Sequence, residues 1–168
     1  MGTGRAFGLL DLYAAEAPPV TPLEGGPLFP QPVDYRVDSR RLRVPSLGSI
    51  EFKYELLRGA ALVYTWKATA PLDFDFHTEP AASPGASETF ERGEALEKSG
   101  YYTAPYDGIH GWYWENFNDS DVTVTLETAG FFTEAQLFLP DTPPERIAIP
   151  TRDVGGHPQG PQRNSPSN

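Results

Sequence analysis

From residue 35 to residue 139 the chain keeps returning to a two-residue rhythm, and turn residues break that rhythm every eight to twelve positions. The clearest run is 49–56, where Ile50, Phe52, Tyr54 and Leu56 alternate with Glu51, Lys53 and Glu55. Such alternation puts apolar groups on one face of a strand and polar groups on the other. A second clear run is 122–128, with Val122, Val124 and Leu126 facing in and Thr123, Thr125 and Glu127 facing out. Further strands are predicted at 35–44, 61–69, 72–77, 88–91, 100–103, 109–117 and 131–139. Arg58-Gly59, Pro105-Tyr106-Asp107-Gly108 and Asn118-Asp119-Ser120-Asp121 supply turn chemistry between them. No long segment of helical period interrupts the series. About eight short strands with turns between them predict an all-β chain: a single antiparallel β-sandwich or jelly roll.

The ends have a different texture. Residues 17–33 contain six prolines and two glycines, which predicts an extended linker. Residues 3–16 have the spacing for one or two helical turns, too short to be stable alone. Residues 141–168 return to proline, glycine and polar residues and are expected to be a disordered tail. The expected division is therefore 1–33 as an N-terminal segment and linker, 34–140 as the β-sandwich, and 141–168 as the tail.

Composition excludes several function classes. Cysteine is absent, so disulfides, thiolate metal sites and cysteine nucleophiles are excluded. The net charge of −10 argues against nucleic acid as a partner and against docking on anionic lipid. The apolar run at 6–10 is far below the roughly 20 residues that span a bilayer. Motifs for a nucleophile elbow, a phosphate-binding loop or a HExxH zinc helix are missing, and no catalytic residue is singled out.

Two stretches carry the chemistry. In LDFDFHTEP, alternation places Asp73, Asp75 and His77 on one strand face, with Glu79 two residues on. Imidazole with carboxylates is a ligand set for a borderline divalent transition metal, although polar residues in alternation are also what the solvated face of an antiparallel sheet carries. In DGIHGWYWEN, His110, Trp112 and Trp114 share one face and Ile109, Tyr113 and Phe117 the other. A second imidazole would complete a metal site, so the candidate set is His77, His110, Asp75 and Glu79. An exposed Trp112/Trp114 face, with Glu115 beside it, would instead form a surface for a ligand or a protein partner. Core packing of the two indoles is the alternative. His157 lies in the polar tail and is given no role.

The runs KYELLRGAALVYTWKATAPLDFDFHTEP and GYYTAPYDGIHGWYWENFNDSDVTVTLETAGFF resemble the bacterial proteins labelled transmembrane anchor proteins. The most specific pieces are FDFHTEP at 74–80 and YDGIHGWYWEN at 106–116. The opening TGRAFGL at 3–9 is similar to the segment that follows the single N-terminal membrane helix in that family. The sequence here departs from the family pattern in lacking that helix. A more distant similarity is to GOLD sandwiches, which are cargo-adaptor modules. The resemblance implies a non-catalytic accessory or binding domain, tethered to the membrane through a helix absent from this chain. It further implies a place in the bacterial cell envelope, on the periplasmic side of the inner membrane, beside a membrane-protein partner. A role in metal handling is the sharper expectation. The alternative is a protein–protein adaptor using the Trp112/Trp114 face, and an enzyme of unknown reaction ranks third.

Overall fold

The structure, a computed structural model, describes residues 28–151. The helical turns expected at 3–16, most of the linker at 17–33, and the tail beyond 151 with His157 lie outside the described residues. Those residues contain eight strands and no helix. The strands are β1 (Arg36–Val44), β2 (Ser49–Leu56), β3 (Ala61–Pro80), β4 (Glu88–Thr103), β5 (Gly108–Glu115), β6 (Val122–Gly130), β7 (Phe132–Phe138) and β8 (Glu145–Ala148). Every strand pairing is antiparallel. The all-β, sandwich-like antiparallel fold read from the alternation is the fold observed.

Its organising element is β3. Along one edge this 20-residue strand pairs with β4, from Ala61↔Thr103 to Thr78↔Glu88. Its other edge is shared: Leu62 to Ala68 pair with β6, and Asp73 to Pro80 pair with β5. Between the two lie Thr69, Ala70, Pro71 and Leu72, and the register against β4 also shifts between Lys67 and Leu72. Proline has no N–H to give to a ladder, so it suits the point where one partner strand ends and the next begins. The result is a single curled sheet with two halves. One half runs β4–β3–β6–β1; the other runs β4–β3–β5–β2–β7–β8.

Two segments expected separately, 61–69 and 72–77, are thus one strand. So are 88–91 and 100–103, joined through charged residues that the alternation leaves out. Expectation and structure also part after residue 140. β8 pairs with β7 from Glu134↔Ala148 to Leu137↔Glu145, and Ile149 is buried, so the β domain continues past the boundary expected at 140. Four residues between prolines carry too little pattern to read as a strand.

The core is formed by the inward residues that alternation selects. Ile50, Phe52, Tyr54, Leu56, Leu62, Trp66, Leu72, Phe74, Phe76, Val122, Val124 and Leu126 are all buried. The three indoles sit at its centre. Trp66 of one half meets Trp114 of the other edge-to-face at 5.8 Å, and Trp112 stacks beside Trp114 at 5.8 Å. Burying an indole removes roughly 200 Å² from water, worth about 5 kcal/mol before entropy is counted.

A buried polar chain also ties the two halves. The Thr128 hydroxyl on β6 donates to Tyr54 on β2 at 2.8 Å. The Tyr54 phenol donates to Asp38 on β1 at 2.9 Å, and Asp38 pairs with Arg40. Burial and the neighbouring Asp38 carboxylate push the Tyr54 phenol far up, so it stays a neutral donor. At the far end, buried Asn116 donates to the carbonyls of Val44, Pro45 and Ser120, and accepts from the Asn118 N–H, closing two turns together. Replacing Tyr54 with phenylalanine removes one hydroxyl and leaves two buried partners short of a bond. The expected loss is about 2 kcal/mol of unfolding free energy with the fold retained, measured by urea denaturation at pH 7.5.

Candidate metal centre

The two histidines are neighbours in the sheet, yet they do not meet. In the β3–β5 ladder His77 pairs with Gly111, and Thr78 pairs with His110. Side chains alternate along a strand, so the two imidazoles project from opposite faces of the sheet. His77 points outward and is mostly covered, with its side chain 13% exposed; His110 points inward and is fully buried. One ion cannot take both as ligands, and His110 leaves the candidate set.

His110 has an environment of its own. Its Nδ1 is hydrogen-bonded to the Tyr102 phenol at 3.0 Å, and the Tyr106 ring stacks against it at 5.6 Å. The Tyr106 hydroxyl is in turn hydrogen-bonded to Thr78 and donates to Glu88. His110 Nε2 is buried with no hydrogen-bond partner among the described residues. A second proton on this ring would create a buried charge, with nothing to accept a hydrogen bond from Nε2. Burial, partly opposed by the Tyr106 carbonyl and Asp107, accordingly pushes the His110 pKa down to about 4.

Trp112 and Trp114 are 1% and 0% exposed. The expected indole surface for a ligand or partner is therefore core. His110, Trp112 and Trp114 do share one face, and it is the inner one. Glu115, on the outer face, pairs across the ladders with Asp73 and Ser49 and lines a shallow groove with Asp75, Arg92 and Tyr113.

What the fold does bring together lies on the outer face of β2, β5 and β3. In one row across the sheet, Lys53 and His77 flank Gly111. In the flanking rows, Glu51 and Asp75 flank Tyr113, and Glu55 and Glu79 flank Ile109. Glycine has no side chain to stand between Lys53 and His77. A Cβ at Gly111 would lie 2.2 Å from the Phe52 carbonyl oxygen and 2.7 Å from the Lys53 Cα, so the backbones here approach as only glycine allows.

Across this gap Glu51, His77 and Glu79 bring one ligand atom each to within 4.8 Å of one another. His77 Nε2 is 3.8 Å from Glu51 Oε2, and His77 Nδ1 is 3.8 Å from Asp75 Oδ1. Asp75 holds Arg92 at 2.9 Å through its other oxygen, while Oδ1 is buried and makes no hydrogen bond among the described residues. Two of the expected ligands, His77 and Glu79, are thus together. Asp75 is next to them, and Glu51 from β2 takes the place expected for His110. Alternation alone marks Glu51 and Lys53 as plain outward positions. Their signal was indirect: a glycine inside an aromatic strand marks a close backbone approach, and what flanks it depends on strand pairing.

A groove on the other half, lined by Arg41, Thr65, Lys67, Thr69 and Thr125, contains none of the expected residues. A scan of the chain against protein-family models gives no match, and a search among curated proteins gives none either.

The state of His110 has a measurable consequence. Its folded pKa lies below the ordinary value of 6.5, so the unfolded chain takes up this proton first. The stabilisation from His110 is complete above about pH 6.5 and is lost as pH falls toward 4. Between pH 7.5 and 5 the expected loss is about 2 kcal/mol. Urea denaturation at both pH values should show this difference in the native chain and a correspondingly smaller one in His110→Gln.

Proposed function

We propose that the chain is a non-catalytic binding domain that takes a divalent transition metal at Glu51, His77 and Glu79. The observation that supports this most is the convergence of one imidazole and two carboxylates from β2 and β3, with their ligand atoms within 4.8 Å. Ions such as zinc form bonds of about 2 Å to nitrogen and oxygen, so a small inward movement of these side chains would close three positions around one ion. A mixed nitrogen and oxygen set favours a borderline ion over calcium or magnesium, which prefer oxygen alone. The residues fit such an ion once the Lys53 ammonium, which now lies between the two carboxylates, has made room.

The setting of the domain is part of the same proposal. Resemblance of 74–80 and 106–116 to the transmembrane anchor proteins supports a tether to the bacterial inner membrane, with the domain on the periplasmic side next to a membrane-protein partner. An adaptor role through Trp112 and Trp114 is set aside, because both indoles are buried.

The test is zinc titration by calorimetry at pH 7.5, joined to elemental analysis of protein purified without chelator. One zinc per chain is expected. His77→Ala should weaken binding at least tenfold, and Glu51→Gln should do so to a similar degree. His110→Gln, altered on the opposite face, should bind as the native chain does. No zinc in the native protein, or equal binding by His77→Ala, would overturn the proposal.

A further inference from the structure

The cluster at Glu51, His77 and Glu79 already holds a cation that belongs to the chain. Lys53 has no exposed surface. Its Nζ lies 2.7 Å from Glu51 Oε2 and 2.5 Å from Glu79 Oε1, so one ammonium bridges the two carboxylates that would bind the ion. Outward-facing lysines on a sheet are normally solvated, and complete burial of one requires its charge to be matched. Two glutamates match it here, beside Gly111, where no side chain stands between Lys53 and His77.

We infer that Lys53 is a built-in competitor for this site: its ammonium occupies the cation position, and a divalent ion enters only as that ammonium leaves. The inference rests on the metal reading above and adds what regulates it. With the ammonium in place, Glu51 and Glu79 are held close together despite their like charge. An ion bonded to both oxygens at about 2 Å would lie within a few ångströms of Nζ, and two cations at that distance repel. The two states therefore exclude each other. Two carboxylates match a divalent ion alone; with the ammonium retained, the site would carry an uncompensated positive charge.

The displaced ammonium has somewhere to go. Nζ already lies 5.2 Å from the centre of the Phe138 ring. A groove lined by Glu51, Tyr113, Phe138 and Leu139 opens on that side. The ring face attracts a cation without tying it in one geometry, so the side chain can swing out along the ring toward solvent while its stem stays covered.

The test uses zinc as the probe at pH 7.5. Lys53→Met keeps the length and apolar stem of the side chain and removes the charge; Lys53→Gln is the second variant. Both should bind zinc at least tenfold more tightly than the native chain, and adding Glu51→Gln to either should abolish the gain. In the native chain, Lys53 should resist acylation by an amine-reactive ester without zinc and react when zinc is bound, as read by peptide mass mapping. This second measurement decides the matter if neither variant folds. Zinc binding by the native chain with no gain in the variants, or with Lys53 still protected, would overturn the competitor and leave the metal site standing. Binding by the variants alone would support the competitor and end the metal reading for the native protein. Binding by none of the three would remove both.

Discussion

A strand of 20 residues must find hydrogen-bond partners along both edges, and the rest of this structure follows from how β3 does so. On one side β4 accompanies it throughout; on the other, β6 and β5 divide its length at Thr69-Ala70-Pro71-Leu72. A flat ladder would leave the inner faces of both halves wet. Curling at the point where the partners change folds the two apolar faces onto each other, and the Trp66–Trp114 contact lies where they meet. The Thr128–Tyr54–Asp38 chain then fixes β2 against β6 and β1 in a way apolar contacts alone would not, because each hydroxyl has one direction in which its bond is made.

The same strand explains why two histidines in neighbouring ladder rows have opposite chemistry. His77 is odd-numbered in a stretch whose even members, Phe74 and Phe76, are buried, so it faces out among Glu51, Asp75 and Glu79. His110 pairs with Thr78 and faces in, against Tyr102 and Tyr106. Inside, desolvation dominates and the ring is kept neutral. Outside, the ring of His77 has the carboxylates of Glu51 and Asp75 as neighbours. A single register step separates the two, because the side-chain period of a strand is two.

That geometry also shows what could be read from the residues alone and what could not. Inward and outward faces of β2, β5 and β6 were legible, since burial follows alternation at Ile50 to Leu56 apart from Lys53, at His110 to Trp114 apart from Gly111, and throughout Val122 to Leu126. Asp75, His77 and Glu79 were legible as one face for the same reason. Pairing was not. Whether His77 lies beside His110 or behind it depends on the β3–β5 register, which no local pattern states. The continuity of β3 was hidden by Pro71, and that of β4 by a run of charged residues exposed on a sheet edge, where alternation has no core to face. Glu51 and Lys53 were seen as outward residues, and their meeting with Glu79, 26 or more positions away in the chain, depended on β5 lying between β2 and β3.

Of the features at the outer cluster, Gly111 and Lys53 differ in what they say about function. The glycine is required by the backbone: a Cβ there would overlap the Phe52 carbonyl whether or not any ligand ever binds. That close approach of the strands carries no information about an ion. Lys53 is under no such requirement. An apolar side chain of the same length would fill the space beneath Phe138 without the cost of taking an ammonium out of water. Nor do Glu51 and Glu79 need to be acidic for the sheet to form, since neither faces the core. Three charged groups placed where uncharged ones would fold as well are the part of this surface that packing does not account for. A position able to hold one cation between two carboxylates is what they have in common.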